Sequence, residues 1–124
     1  MTSLTIPLEK DELKELLNKG WMTHDAMWFY HCLEEFGIEK ANKMNLAAIK
    51  SMAAIEIKRY QKTLGMKLET FDEFRRFFNL AIEIATGKFM KFNYNLVANN
   101  LMHTEMESCF SHEGMKRRGD SRLL

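Results

Sequence analysis

Cys109 and His112 are the residues whose types and spacing best suit nucleophilic chemistry. They lie three positions apart in a segment predicted to be helical, so their side chains share one helical face. If Ser108 is the N-cap, Cys109 lies in the first helical turn, where the helix dipole and free amide groups favour a thiolate. We predict Cys109 as nucleophile and His112 as its base. The alternatives are an inert, buried cysteine beside a surface histidine, and half of a soft-metal site that needs two further ligands.

A second candidate group lies upstream, on a predicted helix. His24 and Asp25 are adjacent and are flanked by Trp21 and Trp28, a combination that suits the wall of a ligand pocket. His24 and His31 share a face, but they are two turns, roughly 10 Å, apart and cannot bind one metal ion. The alternative is a solvated edge of polar and aromatic side chains.

Polar residues also follow one face of the next predicted helix. Glu56 and Arg59 are three residues apart and could form a surface ion pair. If the face is buried instead, Asn45 and Glu56 need polar partners, which a bound ligand could supply. The predicted ligand-binding residues are therefore His24, Asp25, Trp28, Asn45 and Glu56.

Several classes of function lack their usual signals. The sequence has no glycine-rich phosphate loop, Cys-x-x-Cys, Gly-x-Ser-x-Gly or pair of Glu-x-x-His motifs, so we predict no cofactor and no metal. A net charge of +1 gives no electrostatic reason to expect nucleic acid. No apolar run is long enough to span a bilayer, so we predict no membrane partner. Two cysteines and no apparent secretory signal predict a cytoplasmic location.

Helical periodicity organises the chain around residues 21–64, which predict two long helices meeting at Gly37. Gly37 suits a left-handed helix end. The first of these helices is predicted to begin at Pro7 and to continue through Gly20 to Phe36. Gly65 closes the second helix. The 124 residues predict one domain, 1–124.

The remaining elements follow from capping and alternation. Thr70 and Glu73 predict a capping box and a third helix that runs to Thr86. Alternating residues at 88–97 and 101–107 predict a β-hairpin, with Asn99-Asn100 as a turn that tolerates positive φ. A last helix is predicted to end at Gly119. The two termini are predicted to be a short extended arm at residues 2–6 and a tail at residues 120–124. The fold class is therefore α+β, mainly α.

A strip of small residues on the second helix, Ala47, Ser51 and Ala54, would let another helix approach closely. It could pack inside one core, or it could form the seam of a homodimer. We predict a homo-oligomer.

Several short segments resemble a family of small, uncharacterised prokaryotic cytosolic proteins that is distantly similar to the L-2-amino-thiazoline-4-carboxylic acid hydrolase group. The resemblance extends from about Leu8 to Gly119. It rests on Trp21-Met22-Thr23-His24-Asp25 with Trp28, Phe36-Gly37-Ile38-Glu39 with Ala41, Asn42 and Asn45, and Cys109-Phe110 with Glu113-Gly114 and Arg117 to Gly119.

This resemblance implies hydrolysis of a C–N bond in a small cyclic or amide-like substrate, with Cys109 as the reactive group. Relatives continue with a further cysteine-containing stretch and a tryptophan-bearing helix, whereas this sequence stops at Leu124. The resemblance thus implies a chain that lacks a C-terminal segment. Two hypotheses follow: a hydrolase-like or ligand-binding protein for a small molecule, and a non-enzymatic, homo-oligomeric helical module.

Overall fold

The structure, a computed structural model, describes residues 5–119 of the chain. Its elements in chain order are α1 (Lys10–Leu64), α2 (Phe71–Ala85), β1 (Lys91–Ala98), β2 (Leu101–Ser108) and α3 (Phe110–Arg118). The predicted α+β, mainly α class is confirmed. The predicted tail at 120–124 and most of the predicted arm at 2–6 lie outside the described residues.

Helix α1 begins three residues later than the sequence predicted. Its N-cap is Glu9, and the Glu12 carboxylate accepts the Glu9 amide hydrogen at 3.2 Å. The prediction of Pro7 as the first helical residue was therefore wrong, because a carboxylate three residues past the cap supplies the missing acceptor. Gly20 lies inside the helix, as predicted.

Gly37 divides α1 into a first arm, residues 10–36, and a second arm, residues 38–64. A straight helix would separate Asn18 from Tyr60 by about 63 Å. Both nevertheless contact α2: Asn18 Nδ2 donates to the Ile84 carbonyl at 2.8 Å, and the Tyr60 ring lies 6.3 Å from that of Phe77. These two α2 residues are only about 10 Å apart along their helix. The chain therefore turns back at Gly37, which confirms the predicted helical hairpin.

The backbone at Gly37 differs from the predicted left-handed cap. Its φ of 82° is positive as expected, but its ψ of 171° is extended. This combination is essentially restricted to glycine. At the end of the second arm, Gly65 adopts the left-handed conformation, with φ 63° and ψ 33°, as predicted.

The predicted capping box at the start of α2 is confirmed. Thr70 Oγ1 accepts the Glu73 amide hydrogen at 3.2 Å, and Glu73 Oε2 accepts the Thr70 amide hydrogen at 3.3 Å. At the other end, Thr86 is buried and its hydroxyl donates to the Ile82 carbonyl at 2.5 Å. Both ends of α2 are therefore fixed by side chains of its own segment.

Strands β1 and β2 form an antiparallel, two-stranded sheet that confirms the predicted hairpin. Ala98 pairs with Leu101 across the turn, and Val97 is an extra residue without a partner in β2. The predicted turn at Asn99-Asn100 is confirmed. Its residues do not use the positive φ that asparagine tolerates, since only glycines have positive φ among residues 5–119. The hairpin rests on α2 through Tyr94, whose ring lies edge-on to Phe78 at 6.3 Å.

Few apolar side chains are buried within the described chain. The buried hydrophobic residues are Met22, Leu33, Ala41 and Phe77. Leu33 and Ala41 flank the turn at Gly37, so the side chains on either side of the turn are among the most buried of the described chain. The small-residue strip of Ala47, Ser51 and Ala54 is exposed. It therefore does not pack in the core of the protomer, which was one of the two alternatives.

Candidate functional site

Cys109 lies at the junction of β2 and α3, where strand geometry gives way to helix. It is itself the N-cap of α3, with φ −123° and ψ 115°, and its Sγ accepts the backbone amide hydrogen of His112 at 3.4 Å. The prediction of Ser108 as N-cap was wrong, because β2 continues through Ser108 and shifts the cap by one residue. The thiol is half-buried, whereas the His112 side chain is exposed.

The contact between Cys109 and His112 therefore uses the backbone amide of the histidine. In the part of the chain that the structure describes, no hydrogen bond joins the imidazole to the sulfur. An amide hydrogen directed at a sulfur at the start of a helix stabilises negative charge on that sulfur. The arrangement can support a nucleophile, while the role of His112 as its base stays a prediction.

Helix α3 is fixed against the first arm of α1 by cation–π contacts at both ends. Lys19 Nζ lies 5.2 Å from the ring centre of Phe89 and 5.7 Å from that of Phe110. At the other end, the Arg118 guanidinium lies 3.4 Å from the ring centre of Tyr30. All three distances lie within the range over which a cation is attracted to an aromatic face. They place Cys109 beside the first arm.

His24, Asp25 and Trp28 occupy other sides of that arm. Lys19 and Tyr30, which contact α3, are eleven residues apart and lie on one side of the helix, since each residue adds about 100°. Trp28 lies nearly opposite to them, and its side chain is 63% exposed. His24 is turned away from α3 by well over 90°, and Asp25 by about as much in the other direction. No hydrogen bond or ring contact within residues 5–119 links these three residues to Cys109.

A shallow depression of about 300 Å³ lies on this exposed face. Its lining consists of His24, Met27, Trp28 and His31. The His24 and Trp28 rings meet edge-on, with their centres 6.4 Å apart. All four residues belong to one helix, so the depression has a floor but no walls from another element. A ligand there would need a further surface to enclose it.

Asn45 and Glu56 lie on the second arm, away from Cys109 in sequence and in element. Glu56 forms the predicted ion pair with Arg59. Partial burial raises the pKa of the neighbouring Tyr60, and the Glu56 carboxylate raises it further, while Arg59 lowers it. Asn45 is half-buried. The prediction of both residues as ligand contacts remains untested.

The sequence interpretation missed the junction between the start of α1 and the end of α2. Asn18 donates to the Ile84 carbonyl and accepts the indole hydrogen of Trp21 at 3.0 Å. Lys14 Nζ donates to the Glu83 carbonyl at 2.8 Å. Little in the sequence signals this contact, because Lys14 and Glu15 lie one turn before Asn18 and favour an exposed face.

An open cleft of about 420 Å³ borders this junction. Its lining residues are mostly charged: Asp11, Glu12, Lys14, Glu15, Glu83, Thr86, Gly87 and Lys88. Within residues 5–119, no group of three or more His, Cys, Asp or Glu side chains is placed to hold a metal ion. Nearby, partial burial and the Glu83 carboxylate both raise the pKa of Tyr94. The cleft is therefore lined mainly by charged side chains, and these side chains do not define a metal site.

The chain is thus a mainly helical α+β protein with a helical hairpin and an exposed apolar surface. The thiol of Cys109 caps its last helix. A family model matches residues 7–119, and the chain belongs to that family, the Family of unknown function (DUF6125). No curated protein and no solved structure matches the chain. The family match confirms the expectation of an uncharacterised family, and the resemblance to thiazoline hydrolases stays a prediction. No helix in the described part is both long and apolar enough to cross a bilayer.

Proposed function

We propose that this protein is a self-associating helical module that completes its fold by pairing with a second copy. The observation that carries this proposal is the accessible surface of the single chain, 9926 Å². A compact monomer of 14.6 kDa has an accessible surface of roughly 6,900 Å². The single chain therefore exposes roughly 3,000 Å² more than folded monomers of its mass.

Much of the exposed surface is apolar and lies on α1. The exposed large apolar residues of that helix are Leu16, Leu17, Trp21, Met27, Trp28, Phe36, Ile38, Met44, Leu46, Ile49, Met52, Ile55 and Ile57. Contiguous apolar patches of more than a few hundred Å² mark interaction sites on soluble proteins. These residues recur at helical spacing along both arms, so neighbouring exposed apolar side chains share sides of the helix.

The excess of roughly 3,000 Å² per chain lies somewhat above the share that an obligate homodimer interface usually removes from one chain. Obligate homodimer interfaces remove about 2,000–5,000 Å² in total, or about 1,000–2,500 Å² from each chain. The two-fold symmetric dimer is also the commonest assembly of identical chains. A net charge of +1 opposes close approach of two copies only weakly. A second copy of this chain is therefore the partner that the surface favours.

Light scattering coupled to size-exclusion chromatography tests the proposal. We expect a particle with twice the chain mass of 14.6 kDa down to low micromolar concentration. Small-angle scattering of the same sample reports whether a single chain is compact. A mass of one chain at every concentration, with the radius of a compact monomer, would overturn the proposal.

A second candidate function is a thiol-dependent hydrolase acting on a C–N bond of a small cyclic or amide-like molecule. It is favoured by the capped position of Cys109 and the amide hydrogen of His112 on its sulfur. The test is the alkylation rate of Cys109 at neutral pH in a Cys32→Ser background. A rate at least tenfold above that of a free cysteine derivative supports a stabilised thiolate. A rate at or below that reference assigns Cys109 to helix capping.

A further inference from the structure

The second arm of α1 has one half-buried side and a separate, exposed side without charged residues. One side faces its own chain: Asn45, Ala53, Glu56, Tyr60 and Leu64 are half-buried there. The other side carries Met44, Ala48, Ser51 and Ile55, all of them exposed. Between these sides the helix surface holds Lys43 and Lys50. A helix needs only one apolar side to pack within its protomer, so the second side requires another occupant.

Met44, Ala48, Ser51 and Ile55, which we call the outer stripe, are spaced by four, three and four residues. The order of these spacings is the same from either end of the outer stripe. The large side chains of Met44 and Ile55 lie at the two ends of the stripe, and the small side chains of Ala48 and Ser51 lie in its middle. When two copies run antiparallel, Met44 meets Ile55 of the second copy, and Ala48 meets Ser51 of the second copy. The surface is therefore complementary to itself under a two-fold rotation.

The small residues at the centre also set how closely two helices approach. Ala47 and Ala54 border the outer stripe and are exposed. Helices with small residues at the contact pack near the short end of the usual range, about 8 Å between axes. No Lys, Arg, Asp or Glu falls on this side between residues 41 and 57. Two copies can therefore meet here without burying a charge.

We propose that the outer stripe is the centre of an antiparallel, two-fold seam between two copies of this chain. This inference rests on the proposed self-association and assigns its location. Self-complementarity and the lack of charge favour a second copy as the partner of the stripe, and the accessible surface of the whole chain is large enough to supply the area that a stable dimer buries. Surfaces next to the stripe contribute the remainder of that area.

Lysines bound the outer stripe at both ends. Lys40 precedes it and Lys58 follows it on the same side of the helix. In the antiparallel pair, Lys40 comes near Lys58 of the second copy at the solvent-exposed rim. Salt screens such exposed like charges. Association therefore strengthens modestly as ionic strength rises, the opposite of an interface held by ion pairs.

Disulfide trapping tests the seam in a Cys32→Ser, Cys109→Ser background. The variants Ala48→Cys and Ser51→Cys are prepared singly and then refolded together in equal amounts. We expect a covalent dimer in the mixture and little in either single variant, because residue 48 faces residue 51 of the other copy. Disulfides require Cα atoms within about 7 Å, so the trap reports register. Lys43→Cys and Lys50→Cys, refolded together, are the matched control and stay uncrosslinked.

Each outcome separates the seam from the proposed self-association. A particle of two-chain mass that gives no covalent product in the mixture would overturn the seam alone. Trapping of the single variants in place of the mixture would mean parallel helices and would also overturn it. A one-chain mass before trapping would remove both proposals. Ser51→Arg adds a measurement without cysteines: we expect the dissociation constant to rise roughly 100-fold or more, since an unpaired charge becomes buried. Lys50→Ser should leave it unchanged.

Discussion

Replacement of Gly37 by alanine is expected to destabilise the protein although it removes no contact. Gly37 has φ 82° and ψ 171°, a region that side-chain-bearing residues almost never occupy. Apart from the local backbone and the two adjacent residues, no atom lies within 4 Å of the position that the alanine Cβ would take. The cost therefore comes from the backbone itself, and not from a steric clash with neighbouring atoms.

The expected magnitude follows from two opposing effects. Holding alanine in such a conformation costs about 3 kcal/mol, the upper end of the usual range. Alanine also restricts the unfolded chain, which returns about 0.4–1 kcal/mol. We therefore expect Gly37→Ala to lower the free energy of unfolding by about 2 kcal/mol. Gly20→Ala is the matched control, because Gly20 is helical and also has open space at its Cβ. It should raise the stability by about 0.5–1 kcal/mol.

Urea denaturation followed by far-ultraviolet circular dichroism measures both variants, at one protein concentration because self-association shifts apparent stability. A change of conformation is a second way in which the Gly37→Ala variant can relieve its backbone strain. If α1 straightens, its 55 residues span roughly 82 Å. Small-angle scattering would then show a longer particle. A Gly37→Ala protein that is as stable as wild type and has the same maximum dimension would refute the assignment of Gly37 as the turn.

Two further predictions concern α2 and its contacts with α1. Asn18→Ala should lower the unfolding free energy by about 1 kcal/mol, because the Ile84 carbonyl loses its donor and water replaces it only partly. Thr23→Ala is its control; equal effects in thermal denaturation would count against the Asn18 contact. Partial burial and Glu56 raise the pKa of Tyr60 above 10.0, so the folded state keeps the proton more tightly than the unfolded state. Stability should therefore fall as pH rises above about 10, and the fall should be smaller in Tyr60→Phe. Identical pH profiles of unfolding in the two proteins would contradict this.

Local sequence signals predicted most of the elements and failed where a second signal competed. The Thr70 and Glu73 pair and the left-handed Gly65 act within a few residues, so their effects are visible in the sequence. At the start of α1 the same kind of cap, formed by Glu9 and Glu12, outweighed the signal from Pro7. At the hairpin, the turn at Asn99-Asn100 was predicted correctly, but the register shift at Val97 was not predicted.

The candidate site was harder to predict because it depends on contacts between distant segments. The last helix was predicted with its start one residue too early, so Cys109 is its N-cap and not a residue of its first turn. The spacing of Cys109 and His112 could not show that Lys19 and Tyr30 are the residues that hold α3. These contacts fix which side of the first arm faces the thiol, and the sequence pattern around His24 contains no information about them.

The exposure of the small-residue strip could not be predicted for the same reason. Periodicity indicated that Ala47, Ser51 and Ala54 share a side of the helix, but a monomer core and a dimer seam give the same periodicity. The two differ only in which side the rest of the chain occupies. The contact between Tyr60 and Phe77 speaks against the monomer core, because it turns the opposite side of the second arm toward α2. The strip is left on the surface.

Folding and association are therefore expected to be coupled in this protein. The β-hairpin has two strands, and a sheet of that size is stable only when packed against other elements. Its contact with α2 through Tyr94 depends in turn on α2 staying between the two arms. The arms themselves bury few side chains within one chain, so under the proposed self-association a second copy would add to their stability. A ligand site on the exposed face of His24 and Trp28 would also gain its missing wall only in such an assembly.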